Sequence, residues 1–424
     1  MTAPLRICMV TTFYPPYHFG GDAIAVQRLS RALVRAGHDV TVVHDVDAYR
    51  VMGGPVPDGA EAQADGVRVV ALSSRFGHVS KFLTQQIGRP FAHAARLRAL
   101  LDHGRFDVVN FHNVSLIGGP GILGWGDDAV RLYMAHEHWL VCPTHVLWRH
   151  GREVCTGREC VRCQLHYGRP PQLWRMMGVM ERGLQHIDAF IAMSAFSRDK
   201  HREFGFPYDM EVLPPFLPAM APADVGSPDV NVSRPPVHDR PYFLFVGRLE
   251  RIKGLDDVIP LFTGEGAADL LIVGDGGHRV SLEALAAGSP RVRFLGWKDA
   301  DALDALYQQA QALIMPSVCY ETFGITILEA FRQGTPVIAR DIGPFPDIVQ
   351  RSGGGVLFSS PEALAQALHA MLEHTAMRDR MAAAAREAFA AHWSETVVVP
   401  QYVEIARRAA ARRHQTPSRA TLHG

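Results

Sequence analysis

ALIMPSVCYETFGITILEAFRQGTPVIA, residues 312–339, carries strand, loop, helix and strand signals in unbroken succession. The apolar run ALIMP stops at Pro316, Glu321 falls in the loop beyond it, Phe323, Gly324 and Ile325 open a helical pattern, and PVIA resumes a strand. Two strands joined through a helix read as a parallel crossover, the unit from which α/β sheets are wound. The free amides at such a helix start, with the positive end of its dipole, form an anion site at the strand-end crevice. Glu329 lies about two turns into this expected helix, where a bare carboxylate costs free energy unless hydroxyls or other donors satisfy it. The amides between the two acids call for an anion and speak against a metal pair or a two-carboxylate glycosidase site. Taken alone, the acids also fit structural roles, Glu321 against the helix dipole and Glu329 as an intrahelical or capping partner.

Working outward, the same alternation recurs twice. LRICMV, DVTVVH, GVRVVAL, DVVNF, VRLYMA and DAFIAM form one set of strand signals, with helical patterns such as DAIAVQRLSRALVRAG between them. YFLFV, LLIV, RVRFLG, ALIMP, PVIA and GVLF form a second set, with LDDVIPLF and LEAFRQG read as helices. Between the sets, PAMAPADVGSPDVNVSRPPVHDR lacks periodicity and reads as a linker. The expected organisation is a first domain over 1–217, a linker over 218–240 and a second domain over 241–391. A helix over 392–412 crosses back to the first domain, and a flexible tail covers 413–424. At 424 residues with 47% hydrophobic content, the chain has material for such cores. Its 43 basic and 43 acidic residues cancel, so no global field favours nucleic acid, and an anionic ligand needs a local site. No apolar run approaches the roughly 20 residues that span a bilayer, and MTAPLRICMV is not a secretory leader, so the expected location is cytoplasmic.

Three further constellations fall at strand ends, where open α/β sheets bind ligands. Gly20 and Gly21 sit between the first strand and a helix, compatible with close approach of a ligand or with a plain tight turn. FVGRLERIKG places Arg248 and Lys253 after the opening strand of the second domain. There they read either as solvated cations or as a pair neutralising a diphosphate, the Arg by bidentate contacts and the Lys as a point charge. IVGDGG offers another turn with Gly274, Gly276 and Gly277.

In order, GG, the HEHW region, GRLERIKG, VGDGG, RVRFLGW, the 312–339 stretch and GVLF resemble the retaining glycosyltransferases of family 4. The resemblance implies the GT-B fold, two Rossmann-like doubly wound parallel-sheet domains facing across a cleft. It implies that Arg248 and Lys253 hold the donor diphosphate, Glu321 the hydroxyls of the transferred sugar and Glu329 the nucleotide ribose. Amides around Phe323, Gly324 and Ile325 would contact phosphate or sugar, Gly296 and Trp297 would seat the base, and Gly20 and Gly21 would lie beside the donor. His136 matches the first-domain histidine that faces donor and acceptor, although Glu137 and His138 depart from the usual motif and leave two histidines to choose between. A further departure is EVLPPFLP at 211–218, where prolines stiffen a connection that often carries Asn-Gly.

The activity so implied is metal-independent transfer from a nucleotide-diphosphate sugar to a saccharide, lipid-linked saccharide or small-molecule hydroxyl. Polysaccharide and cell-envelope synthesis is its natural setting, at the inner face of the membrane if there is peripheral contact. A non-hydrolysing nucleotide-sugar epimerase and a non-catalytic sugar-nucleotide binder are the alternatives on the same architecture. Cys142, Cys155, Cys160 and Cys163 cluster in an insert over 142–166, where structural zinc, redox-sensitive thiols and disulfides all stay open. Beyond it, LWRMMGVMERGL reads as an amphipathic helix, either buried, covering the acceptor side or touching a membrane surface.

Overall fold

The computed structural model of the chain describes residues 3–54, 64–218 and 236–415. The chain forms two compact units, one built on 1–214 with 399–424 and the other on 215–398. The linker expectation falls mostly on 219–235, and the tail expectation on 416–424, both outside the described residues.

The first unit is laid on strands β1 (Arg6–Val10), β2 (Asp39–Asp45), β3 (Arg68–Leu72), β4 (Val108–Phe111) and β5 (Val130–Ala135). A small hairpin follows, β6 (Trp148–Arg149) with β7 (Glu153–Val154), and then β8 (Ala189–Ala192) and β9 (Met210–Val212). The main sheet is parallel, in the order β3-β2-β1-β4-β5-β8-β9. Ile7, Cys8, Met9 and Val10 are all fully buried, because helices cover both faces and the strand reads as a continuous apolar run rather than an alternation. The helix Gly21–Arg35 buries Ala23, Val26, Leu29, Ser30 and Leu33, a stripe at helical spacing. The core gathers Phe111, Tyr133, Trp139, Trp174 and Phe190 with the aliphatic residues of the central strands.

The second unit carries β10 (Tyr242–Val246), β11 (Asp269–Val273), β12 (Val292–Gly296), β13 (Leu313–Met315), β14 (Val337–Arg340) and β15 (Gly355–Phe358). Its parallel sheet runs β12-β11-β10-β13-β14-β15. Both sheets therefore reverse their strand order at the opening strand, β1 against β4 and β10 against β13. The crevice at such a reversal is where doubly wound sheets take ligands.

Two expected helices come out differently. LDDVIPLF forms two 3₁₀ turns, Leu255–Asp257 and Ile259–Phe262, because Pro260 cannot donate into a continuing α-helix. LWRMMGVMERGL is broken in the middle: a 3₁₀ turn, Leu173–Met177, ends at Gly178 with φ of 68°, and a separate short helix, Val179–Leu184, follows. The last helix, Glu395–Gln415, is longer than the 392–412 expectation at its end and packs in the first unit from residue 399 onward. There Tyr402 is fully buried and its Oη accepts a 3.0 Å hydrogen bond from Asn110 Nδ2, while Arg408 pairs with Glu211.

Candidate functional site

In the second unit, the loops after β11 and β13 are each sewn to the loop after β10, at glycines where a side chain would clash. Gly274 has φ of 126°, and a Cβ there would stand 2.0 Å from the Gly247 carbonyl oxygen. Leu249 N donates to Asp275 O and His278 N to Leu249 O, both at 2.9 Å, so the IVGDGG turn packs against the Arg248 loop. Gly254, at φ of 72°, would place a Cβ 2.1 Å from Pro316 O, and beside it Val318 N donates to Ile252 O at 2.9 Å. These contacts bring the turn Arg251–Lys253 onto the loop that holds Ser317 and Glu321. Lys253 Nζ lies 2.6 Å from Glu321 Oε1, and Ser317 Oγ donates to the same oxygen at 2.8 Å. Beneath them, Arg340 donates through Nε to Pro316 O at 2.9 Å and through Nη2 to Asp257 at 2.6 Å.

Electrostatics keep this pair charged. Burial alone would lower the Lys253 pKa, but the facing Glu321 carboxylate reverses that and leaves it raised. Burial likewise pushes Glu321 upward, and Lys253, its hydrogen bond and Ser317 bring it net below the ordinary carboxylate value. Cys319, between them in sequence, is buried and pushed up to about 12, so it remains a neutral thiol. Arg248 pairs at 2.8 Å with Glu250 and is half exposed, which leaves its guanidinium able to exchange partners.

The helix beyond Glu321 is Ile325–Gln333, with Gly324 at its N-cap at φ of 99° and no side-chain acceptor closing the first turn. Its opening amides at Ile325 and Thr326 therefore depend on water or a ligand. A Cβ at Gly324 would meet the Phe345 ring at 2.9 Å, so close packing also demands glycine here. Phe323 is buried with its ring 6.2 Å from Trp393, so only its main chain is available to a ligand. Glu329 lies just past the first turn, not two turns in, because the helix starts at Ile325. It is half-buried, and Tyr307 Oη donates to its Oε2 at 3.1 Å. Gly296 ends β12 with its carbonyl accepting from Gly274 N, and Trp297 beside it is 79% exposed.

In the first unit, His136 follows β5 and its Nε2 lies 2.9 Å from Nδ1 of His112, which follows β4. His112 is buried against Met9, its Nε2 3.3 Å from Sδ. Burial lowers the His136 pKa to about 4, with Asp22 acting in the opposite direction. His112 is lowered well below its ordinary value by burial and by His136. Both imidazoles are thus neutral near pH 7. His138 is 1% exposed, with its ring tilted against that of His201 at a centroid distance of 5.2 Å, whereas His136 is only partly buried. Glu137 pairs with His145 at 2.6 Å. Gly20 is the N-cap of Gly21–Arg35 in an extended conformation with ample room for a Cβ, and Asp22 in the first turn accepts from Asn113 at 3.3 Å. A carboxylate at that helix start already occupies the place of an anion.

No three sulfurs of the clustered cysteines lie mutually within 4.8 Å. Cys142 Sγ is 3.3 Å from Thr144 Oγ1, Cys155 Sγ donates to Gly157 O at 3.1 Å, and Cys163 accepts from His150 N at 3.4 Å. These three and Cys160 are all free thiols. Among the described residues, the set of three or more ligand atoms lying mutually within 4.8 Å is Asp45, Asp47 and His93. That set is self-neutralised, because buried Lys81 pairs with Asp45 and His93 hydrogen-bonds Asp47 at 3.0 Å. A cavity of about 430 Å³ opens elsewhere, at the opposite ends of the first sheet's strands, lined by Arg6, Arg105, Asp107 and Arg407.

Sequence reasoning passed over Ser317, Tyr307, Arg340 and His112. His112 had a usable signal, since it directly follows the strand DVVNF at the sheet's reversal. Tyr307 and Arg340 had none, being 22 residues from Glu329 and 83 from Asp257 along the chain.

Residues 19–219 match the family profile described as Glycosyltransferase Family 4, and residues 230–388 the profile described as Glycosyl transferases group 1. A glycogen synthase of Mycobacterium tuberculosis is 29% identical over 97% of both chains. Among solved structures, a sucrose-phosphate synthase from Thermosynechococcus elongatus superposes with a TM-score of 0.70 at 20% identity, over 96% of this chain and all of the other. The HepE protein of Anabaena, crystallised with UDP, superposes with a TM-score of 0.66 at 16% identity, over 95% of this chain and all of the other.

Proposed function

The chain belongs to glycosyltransferase family 4, with the GT-B fold, and from that premise we propose that it transfers a sugar from a nucleoside diphosphate donor to an acceptor hydroxyl with retention and without a catalytic metal. The observation that carries the proposal is the Lys253–Glu321 ion pair, oriented by Ser317 beside the uncapped start of Ile325–Gln333. An incoming donor trades that pair for stronger contacts. Lys253 and Arg248 take the diphosphate, the first-turn amides add their dipole, and Glu321 turns to hydroxyls of the sugar.

Retaining transfer needs charge neutralised on the departing diphosphate while the sugar carries oxocarbenium character. Fixed cations and amides supply this without reorganising at the moment of reaction. Glu329, braced by Tyr307, holds the ribose, Gly296 and Trp297 flank the base, and His136 serves as a neutral hydrogen-bonding group toward the sugar. The acceptor is a saccharide or lipid-linked saccharide of the kind used to build polysaccharides.

The test pairs transfer assays with donor titration and thermal unfolding. Lys253→Ala and Glu321→Ala are expected to cut kcat by about 10²–10³, the scale of losing one preorganised electrostatic contact. Removing one partner of this largely buried pair also lowers the unfolding temperature, so the loss of kcat is read on the folded fraction, where it should persist in full. Glu329→Ala should weaken donor binding by about tenfold or more, the worth of hydrogen bonds to a charged group. An activity loss no larger than the loss of folded protein, or donor affinity indifferent to Glu329, would return these residues to purely structural roles.

A further inference from the structure

Four of the chain's six cysteines, Cys142, Cys155, Cys160 and Cys163, lie between residues 142 and 163, and the fold gathers them around one short hairpin. Cys155 leaves β7, and its N donates to Leu147 O, just ahead of β6, at 2.7 Å. Cys163 meets the same stretch, its sulfur accepting from His150 N at 3.4 Å and lying 3.9 Å from Trp148 O. Cys160 is three positions earlier in the helix Cys160–His166 and so on the same face. Cys142 belongs to the turn leading toward β6, where its carbonyl accepts from His145 N at 3.0 Å. Burial raises the Cys155 and Cys160 pKa values, and neighbouring thiols add to it: Cys142 and Cys163 at Cys155, Cys142 and Cys155 at Cys160. The four thiols thus share one neighbourhood.

Little else in this segment explains how it holds its shape. β6 and β7 are two residues each, far below what makes a hairpin stable alone. His145, Leu147 and His150 all take positive φ, at 75°, 47° and 50°, which non-glycine residues keep only where the surroundings impose it. Arg175 adds a charge argument. It packs over the Trp139 and Trp174 rings, where burial lowers its pKa to about 10, and the groups acting most strongly in the opposite sense are the Cys142 and Cys160 thiols. Its hydrogen bonds go to uncharged oxygens, Gln172 Oε1 and Trp139 O at 2.7 Å and Leu140 O at 3.5 Å.

We propose that Cys142, Cys155, Cys160 and Cys163 bind a zinc ion as a tetrathiolate, which staples residues 142–166. A closed set of four soft sulfurs selects zinc. Such a centre carries net negative charge, which Arg175 offsets in part, and the His150 amide supplies the outer hydrogen bond that orients a ligating sulfur. The thiols as placed rest on neutral neighbours, Thr144, Gly157 O and Trp148 O. Closing them to sulfur spacings of about 3.8 Å, with Zn–S of about 2.3 Å, requires rotations about χ1 that each carry a sulfur by up to about 3 Å. Binding releases the thiol protons, and the bond from Cys142 N to His138 O at 2.8 Å joins the staple to the segment that carries His136.

The full chain is produced in zinc-supplemented medium, purified without chelator, and its metal content measured by elemental mass spectrometry. Stoichiometric zinc is expected, and the double variant Cys155→Ser, Cys163→Ser should lose it at least tenfold, while Cys8→Ala, outside the cluster, should keep it. Exchange of cobalt into the unsubstituted protein gives a reading independent of how any variant folds: thiolate-to-cobalt charge-transfer bands with the visible bands of a tetrahedral site. The denatured, unreduced chain should have the mass of six reduced cysteines. Zinc well below stoichiometric, zinc retained by the double variant, cobalt spectra without thiolate bands, an iron–sulfur chromophore, or a mass short of hydrogens in pairs, the mark of disulfides, would each overturn the proposal. None of these readings uses sugar transfer, so they stand apart from the catalytic assignment.

Discussion

The ionisable residues of the site and of the first unit's core respond to acid over different ranges, which makes pH a means of separating them. Glu321 is depressed below its ordinary 4.5, so what it contributes is present above that value and is lost only as pH falls through its folded pKa. Lys253 is raised above 10.5, so its contribution is full below that value and is lost as pH climbs past its folded pKa. The pair is therefore silent between these limits. His136 behaves in the opposite sense: folded it resists the proton down to about 4, whereas unfolded it takes one near 6.5. Acidification through that window favours the unfolded chain, with His44 and His201, each lowered by burial to about 4, adding to the slope. The unfolding temperature should fall by roughly 3 °C or more between pH 7 and pH 5, and His136→Gln should flatten part of that fall. A profile unchanged by the substitution would mean that His136 is already hydrated and titrates normally in the fold.

Among the elements, the 3₁₀ turn Arg251–Lys253 matters most, because it delivers a cation to a carboxylate 68 residues further along the chain. Its exit is Gly254, where positive φ and contact with Pro316 O both exclude a side chain. Gly254→Ala should destabilise the second unit by about 2 kcal/mol or more, and it should reduce transfer beyond what that loss explains by displacing Lys253. Denaturant melts together with kinetics on the folded fraction would separate the two effects. GRLERIKG placed Arg248 and Lys253 past the opening strand, and ALIMP followed by PVIA showed a crossover. LDDVIPLF misled because its apolar spacing suits a helix while Pro260 forbids the hydrogen bond that a helix needs.

On the scale of the molecule, the first unit is discontinuous in sequence, completed by residues from 399 onward. The Glu395–Gln415 helix buries Tyr402, Ile405, Ala406 and Ala409, and Arg413 reaches Asp127 O and Ala129 O. Tyr402→Phe should cost about 1–3 kcal/mol, because it leaves the buried Asn110 amide without that acceptor, and a chain ending at residue 394 should fail to give a soluble first unit. A Tyr402→Phe melt indistinguishable from that of the unsubstituted protein would show that Asn110 has another acceptor. Local order was legible along the chain: buried parallel strands are continuous β-branched runs, their crossovers keep helical spacing, and glycines mark backbone that a side chain would obstruct. Family membership was legible in the same motifs, since they lie at strand ends, where sequence order and site order coincide. What only the tertiary structure decided was partnership across distance. Ser317 and Lys253 meet on one oxygen of Glu321, Tyr307 braces Glu329, and His112 stands behind His136. Such pairings depend on sheet order and on which face a helix turns to its neighbours, and neither leaves a periodic trace in the residues themselves.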